Sequence, residues 1–485
     1  MKVWGLIGAV AVLILSQADG YAQTITLDEY LSEVRERHPY FAEQSMRPQI
    51  ETYQRDRFLG EKDWVVASSP FLNFQQPIVA NTFSPERLTR LDIDAGLERA
   101  YWGNGSRFAV TWQSVYVSQK VPGIIIPTSS GSIAIPVGNA DFYENRLLAT
   151  YTYPLLQNSG GVLDQLEYYL ADRNIDFSRI ESLENQENFL LDAGTRYIDW
   201  ALVLEEMRIS EERLRYEQEQ LDQITRKRRS NLVDEVDVLR GKNAVDIAKE
   251  NLTFNRSRAM AKKAELAVLA RNESINVSTP DMDIYAMDTI PPLDEVLRKI
   301  PGQRLVRALA VRLEQLKLQA RALENVSKAQ LYLGVSGGLQ QGNAEFLKSW
   351  ELSKPDVTFF VDFRYPLGNS TATADVARNT LEMHQLEKQI EGVSLNLEAE
   401  LRRIWIEITE LEKVLVLNQE QVETALEKTI EEQKVYDQGR SDLTFVIQSR
   451  DDVSIAQLRY AINAATYQKL YLSYQAMVDE LLRDE

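Results

Sequence analysis

Apolar positions along this chain keep two periods. After Leu367, the residues Leu386, Ile390, Val393, Leu397, Leu401, Ile404, Ile408, Leu411, Leu415, Asn418, Val422 and Ala425 are spaced by threes and fours. That is a coiled-coil seam. Two consecutive fours at Val393, Leu397 and Leu401 form a stutter, which locally unwinds a left-handed supercoil. No proline follows Leu367, so the pattern predicts a helix of about 70 residues, roughly 100 Å long. A second helix from about Asp442 to Leu482 returns beside it. Leu190, Tyr197 and Leu204 keep a seven-residue spacing earlier in the chain, within a predicted hairpin from about Gly161 to Asn272.

Elsewhere the period is two. Between Trp64 and Tyr153, the runs Leu91–Ala95 and Phe108–Gln113 alternate apolar and polar residues, with Gly103-Asn104-Gly105 between them as a turn. They read as a β-hairpin. Val121 to Ala140 reads as a long, rather apolar loop, and Asn145 to Tyr153 as a further strand. Later, Ala329–Gln341 and Asp356–Tyr365 read as two strands around a loop at Gly342–Pro355. In the second of these, Val357, Phe359, Val361 and Phe363 alternate with polar residues except at Phe360. Strands of about ten alternating residues suit a membrane barrel and also the edge of a soluble sandwich. The opening stretch Thr26–Arg57 reads as helix, with Thr26 and Glu29 as a capping box, interrupted at Pro39 and Pro48 so that a kink or two short helices are expected.

The two kinds of segment occur twice in the same order. Tyr153-Pro154-Leu155 ends one set of strands and opens a helical run, and Tyr365-Pro366-Leu367 does the same later. Leu31, Val34 and Pro39 recur at one constant offset as Leu293, Val296 and Pro301. Val236 and Arg240 recur at another as Val446 and Arg450. The chain therefore divides into a first repeat at 23–272, a linker at 273–292 containing Asn, Ser, Thr and three prolines, and a second repeat at 293–485. The first repeat carries an extra hairpin, about Leu88 to Ser118, without a counterpart in the second.

Charge and composition narrow the function. Residues 1–22 read as a cleaved secretory leader: Lys2, an apolar run from Gly5 to Ser16, then small residues at Gly20-Tyr21-Ala22. The alternative is an uncleaved anchor. There is no cysteine and the net charge is −18, which argues against a nucleic-acid partner. No later segment has 18 consecutive apolar residues, so entry into a membrane would have to be by strands. Only His38 and His384 are present, neither in metal-ligand spacing, and no nucleophile elbow or phosphate loop is visible. No catalytic residue, metal or cofactor is expected.

On these residues the chain resembles the TolC family of outer-membrane efflux and secretion channels, over nearly the whole mature length. The resemblance rests on the opening helix with His38-Pro39, the two Tyr-Pro-Leu junctions, and the turn Tyr436-Asp437-Gln438-Gly439-Arg440-Ser441-Asp442-Leu443 followed by Val446 and Arg450. It rests also on the earlier turn that ends in Val236 and Arg240. The implied fold is a mixed α/β membrane protein. Three chains would share a twelve-stranded antiparallel β-barrel, four strands from each, continued by a long α-helical coiled-coil tunnel. The implied location is the outer membrane of a Gram-negative bacterium, with a large periplasmic part. The implied partners are two further copies, a periplasmic adaptor, an inner-membrane pump or ABC transporter reached through that adaptor, and outer-membrane lipid. The activity would be passive, gated conduction of small molecules. An exit duct for proteins or polysaccharides, and a periplasmic coiled-coil scaffold without a pore, remain as alternatives.

The resemblance also places sites. Pro154 and Pro366 mark the strand–helix junctions. At the gate, Glu235 takes the position of a carboxylate bonded to a tyrosine, here Tyr436. Phe445 and Gln448 stand where acidic residues ring the constriction in well-known members, and Ser441 where an arginine partners the tyrosine. The adaptor-binding tips are Arg226, Lys227, Arg228 and Arg229 on the first hairpin, and Gly439, Arg440, Ser441, Asp442 and Leu443 on the second. Arg229 aligns with Gly439. The four basic residues are either a solvated helix end or a handle for the adaptor. Trp112, Tyr116, Phe142, Tyr143, Phe346 and Trp350 are candidate interfacial aromatics.

Overall fold

The computed structural model describes residues 24–78, 85–121, 124–135 and 140–482. The expected leader at 1–22 lies outside them. In chain order the elements are β1 (Thr24–Ile25), α1 (Leu27–Arg37), α2 (Pro39–Arg57), β2 (Val65–Gln75), β3 (Arg87–Tyr101), β4 (Ser106–Lys120), β5 (Ile124–Thr128), β6 (Gly131–Ile135) and β7 (Ala140–Pro154). There follow α3 (Leu166–Arg229), α4 (Glu235–Leu269), β8 (Thr279–Pro280), α5 (Leu293–Leu297), α6 (Arg304–Val326), β9 (Gln330–Asn343), β10 (Lys354–Arg364), α7 (Ser370–Asp437) and α8 (Leu443–Met477). Both expected helical hairpins are present, and α3 and α7 run 64 and 68 residues.

Two compact units share these elements. One comprises Leu183–Gln303, Leu395–Glu485 and the N-terminal segment to Gln44; the other comprises Ser45–Ser182 and Arg304–Ser394. Each repeat thus contributes to both units, and the compact units cut across the repeats.

The first unit is helical and packs on its aromatic residues. Thr26 and Glu29 form the expected capping box, with Glu29 N–H donating to Thr26 Oγ1 at 3.2 Å and Thr26 N–H to Glu29 Oε2 at 2.9 Å. The cap starts α1 so that Tyr30, Leu31 and Val34 are buried. Tyr30 stacks on Tyr197 at 5.5 Å, and the Tyr197 hydroxyl donates to the Ile25 carbonyl at 2.6 Å. Burial of each large side chain contributes about 2–3 kcal/mol. His38 ends α1 in extended conformation, and Pro39 starts α2. Pro48 lies inside α2 without ending it. The segment 273–292 is no free linker. β8 pairs in parallel with β1, and Ile275 and Ile284 are buried in the helical core.

The second unit carries one six-stranded antiparallel sheet in the order β10-β9-β7-β4-β3-β2. Beside the four strands expected for the barrel, the extra hairpin extends the same sheet through β3, and β2 joins it along Val65–Gln75. The Gly103-Asn104-Gly105 turn connects β3 to β4 as expected, with Tyr101 opposite Ser106. The supposed loop at 121–140 contains a separate small hairpin, β5 with β6, and residues 122–123 and 136–139 lie outside those described.

Register and the period of two assign each residue a face. One face is apolar on every strand: Val66, Leu72 and Phe74; Leu91, Ile93 and Leu97; Val110 and Trp112; Leu147 and Ala149; Leu333, Val335 and Leu339; Val357, Phe359, Val361 and Phe363. The opposite face carries Asp92, Asp94, Thr111, Gln113, Arg146, Thr150, Ser336, Asp356 and Asp362. Phe360, the exception to alternation, lies on this polar face opposite Gly334. A Cβ at Gly334 would come within 2.0 Å of the Phe360 ring, so glycine makes room for it. Of the candidate aromatics, Trp112, Tyr116 and Tyr143 share the apolar face. There Trp112 meets Trp350 at 5.3 Å and Tyr143 meets Phe346 at 5.4 Å. Phe142 falls on the other face.

Both junction prolines stand where a strand gives way to a turn. Pro154 is the last residue of β7, and Pro366 follows β10. After each, an asparagine adopts a left-handed conformation, Asn158 at φ 61° and Asn369 at φ 42°. Both are tied to the end of α6: Asn158 N–H donates to Asn325 Oδ1 at 2.7 Å, and Asn369 Nδ2 donates to the Ser327 carbonyl at 2.9 Å.

Candidate functional site

Each long hairpin turns through five residues, 230–234 and 438–442. The second turn closes as a Schellman motif. Gly439 takes φ 71°, its N–H donates to the Tyr436 carbonyl at 2.9 Å, and Arg440 N–H reaches the Val435 carbonyl at 3.1 Å. The first turn closes the same way at Asn231, with φ 54°, while Leu232 N–H reaches the Lys227 carbonyl at 3.0 Å. Asn231, not Arg229, is therefore the counterpart of Gly439. Asp234 and Asp442 are then equivalent N-caps, and Val238 pairs with the buried Val446, while Val236 is exposed. The repeat offset at the tips is two residues shorter than Val236 and Val446 indicated.

Beneath the turns lies a small core of Ile224, Tyr436, Leu443 and Val446, flanked by Val233, Val238 and Ile447. It joins the two hairpins, since Ile224 and Val238 lie on α3 and α4 of the first, and Tyr436, Leu443 and Val446 on α7 and α8 of the second. Polar contacts ring it. Lys227 Nζ donates to Asp437 Oδ1 at 3.1 Å and sits 4.1 Å from the Tyr436 ring centre. Gln223 and Gln433 also donate to Asp437, at 2.9 and 3.3 Å. Burial works to raise the Asp437 pKa, but the bonds from Lys227, Gln433 and Gln223 hold it below the ordinary carboxylate value. Arg240 on α4 lies 3.2 Å from Asp237 and 3.8 Å from Asp442. Asp442 is held low by the side-chain and backbone donors of Thr444, assisted by Arg240.

The expected gate pair is not formed. Glu235 is exposed and bonds Arg228 at 3.3 Å within its own turn. The buried Tyr436 hydroxyl has no hydrogen-bond partner. Desolvation raises the Tyr436 pKa, and Asp237, Asp437 and Asp442 add to it. Phe445 and Gln448 are exposed on α8, and Phe445 is 55% accessible. Of the four basic residues, Lys227 reaches the second hairpin and Arg228 stays in its own turn, while Arg226 and Arg229 are exposed. Arg440 is exposed and bonds Gln438 at 3.4 Å. Ser441 lines a cleft of about 540 Å³ with Lys227, Asp237, Tyr436 and Asp442.

Further along the hairpins is a second polar set that the sequence did not single out. Arg450 donates to the Tyr216 carbonyl at 2.9 Å, to Gln220 at 3.2 Å and to Gln433 at 3.1 Å. Arg213 pairs with Asp451. Between them Glu217 is buried, and neither carboxylate oxygen has a hydrogen-bond partner. Desolvation raises its pKa against the attraction of Arg450 and Arg213. The sequence signal was only the basic Arg450, already matched as a repeat residue.

His38 packs on Phe189 at 4.7 Å, and His384 is exposed beside Glu387 at 3.1 Å. Glu184, Glu187 and Asp479 bring carboxylate oxygens within 4.8 Å of one another, but each has bonded partners, among them the Leu482 N–H on Glu187.

No protein-family profile matches the sequence, and no curated protein matches it. Solved structures do match the fold. The transmembrane channel protein CusC aligns with a TM-score of 0.67 at 9% identity, over 93% of this chain and 91% of its own. The outer membrane protein VceC of Vibrio cholerae aligns at 0.64 and 11% identity, over 94% and 95%. The outer membrane channel MtrE of Neisseria gonorrhoeae, in its open state, aligns at 0.64 and 14% identity, over 94% and 90%. The chain thus has the fold of these outer-membrane channels along nearly its whole length.

Proposed function

We propose that this protein is the outer-membrane channel of a tripartite efflux system, a gated passive duct for small molecules across the periplasm and outer membrane of a Gram-negative bacterium. The observation that carries this reading is the six-stranded sheet with one predominantly apolar face, in a chain whose fold aligns over 93% of its length with a known transmembrane channel. Phe359 is 77% and Val66 75% exposed in the isolated chain. A contiguous exposed apolar surface of this size needs lipid or protein to cover it. The apolar face meets lipid, and the polar face with Asp92, Asp94, Arg146 and Asp362 lines the lumen.

A lipid-embedded sheet cannot leave its edges open, because unpaired backbone groups there find no water. Three copies close it. The tips made by 226–235 and 436–448 form the periplasmic gate and receive an adaptor, through which an inner-membrane pump or ABC transporter supplies the energy. The gate in each chain is latched by Lys227, Asp437 and Tyr436 together with Arg240 and Asp442. Glu235, Phe445 and Gln448, exposed here, face the neighbouring copies. Ionic latches of this exposure are worth about 0–1 kcal/mol each, weak enough for an adaptor to break.

The test is the mass of the detergent-extracted protein, with detergent subtracted, followed by conductance in a planar bilayer. A trimer that conducts supports the duct. A monomer that stays soluble without detergent removes it and leaves the periplasmic scaffold.

A further inference from the structure

Resting on the channel reading above, we infer that the barrel of this protein is closed by six strands from each chain, so that three copies build eighteen strands around a lumen wider than a twelve-stranded one. Three observations carry this. The hairpin β2–β3 continues the ladder from β4 in unbroken register: fifteen residue pairs join β3 to β4, and eleven join β2 to β3. It also continues both faces. Val66, Leu72 and Phe74 on β2, with Leu91, Ile93 and Leu97 on β3, extend the apolar surface of the other four strands. Asp92 and Asp94 extend the polar one. A hairpin lying outside the barrel would have no reason to keep an apolar side in phase with the lipid-facing side.

The third observation is at the edges. β2 and β10 are the outer strands of the sheet, and each has eleven residues. Successive strands alternate in direction, so with six strands the two edges run opposite ways and pair as antiparallel neighbours. The occupant of each free edge is therefore a second copy of this chain, β2 of one against β10 of the next. Each edge carries one proline, Pro70 and Pro355, which removes at most one donor per strand from the seam. The residues β3 and β4 would need to close a smaller barrel are already bonded to each other and to β2. Barrel diameter grows roughly linearly with strand number, so eighteen strands give about half again the width of twelve.

The chain contains no cysteine, which makes cross-linking clean. Single cysteines replace Ser69, Phe71 or Asn73 on β2, or Thr111 or Gln113 on β4, all on the polar face. Each is combined with Thr358→Cys or Asp362→Cys on β10, and a short thiol linker is applied to the protein in outer-membrane fragments. Several positions per strand cover the unknown register, and the heat-shifted gel mobility of each variant shows that it has assembled. Inter-chain dimers and trimers from the β2 set, with none from the β4 set, are expected. Cross-links from β4 to β10 would overturn the six-strand closure and leave the channel reading standing. No inter-chain cross-link from either set, with a monomeric mass in detergent, would sink both.

Discussion

Lys227 and Asp437 form an ionic contact by which one hairpin holds the other at the tip. Asp437 receives Lys227, Gln223 and Gln433 together, so Asp437→Asn keeps its shape and loses the charge. Open probability in a bilayer is expected to rise severalfold, as it would on losing a latch of about 1 kcal/mol, while trimer mass stays unchanged. The sign of the pH response follows from the depressed pKa values of Asp437 and Asp442. Their contribution is complete above the ordinary aspartate value, about 3.9, and is lost only as pH falls below it through the folded values. Conductance should therefore be flat from pH 8 to 5 and rise only in stronger acid; a rise centred near neutrality would exclude these carboxylates as the latch. Glu217 behaves oppositely. Its pKa is raised by desolvation, so its charge destabilises the fold increasingly as pH climbs from the ordinary glutamate value through the raised one. Glu217→Gln should raise thermal stability at pH 7 by an amount on the order of 1 kcal/mol, and the gain should vanish near pH 4. Melting curves at the two pH values decide it.

At the scale of elements, the helices were legible in detail and the sheet in part. The seam from Leu386 to Ala425 marks α7, and the capping box at Thr26 places the start of α1 correctly, because both signals are local. The tip register was not legible. Asn231 does the work of Gly439, and a left-handed asparagine gives no such clear sign in a sequence. Val236 and Val238 are both apolar, and only burial shows which of them meets the core. β2 was hidden too, since Pro70 and two serines interrupt its alternation, as an edge strand tolerates. Phe360 broke the pattern for a reason that lies on another strand, the missing side chain of Gly334. That contact predicts a compensation. Gly334→Val should collide with the Phe360 ring, loosen the pairing of β9 with β10 and reduce heat-resistant trimer on gels. Adding Phe360→Ala should restore it. A double variant as defective as the single would show that Gly334 serves the backbone instead.

For the whole molecule, the face assignment makes neighbouring residues behave as opposites. Val110 and Thr111 are consecutive on β4, yet Val110 belongs to the apolar face and Thr111 to the polar one. If the sheet is a barrel wall, Val110→Arg places a charge in hydrocarbon at about 2–4 kcal/mol per chain near the midplane. Symmetry repeats that cost in every copy. Thr111→Arg places the same charge in water, beside Gln113 and within reach of Asp94. The first variant should fail to accumulate as a trimer in outer membranes. The second should assemble normally and shift the ion preference of the channel toward anions, read as a reversal potential under a salt gradient. A soluble scaffold would invert this. There the apolar face would be covered by protein, Val110→Arg would cause general misfolding, and Thr111→Arg would have no current to alter. The two arginines, one residue apart, thus separate a membrane wall from a packed sheet without any reference to the tips. They test the barrel independently of the latch at the gate.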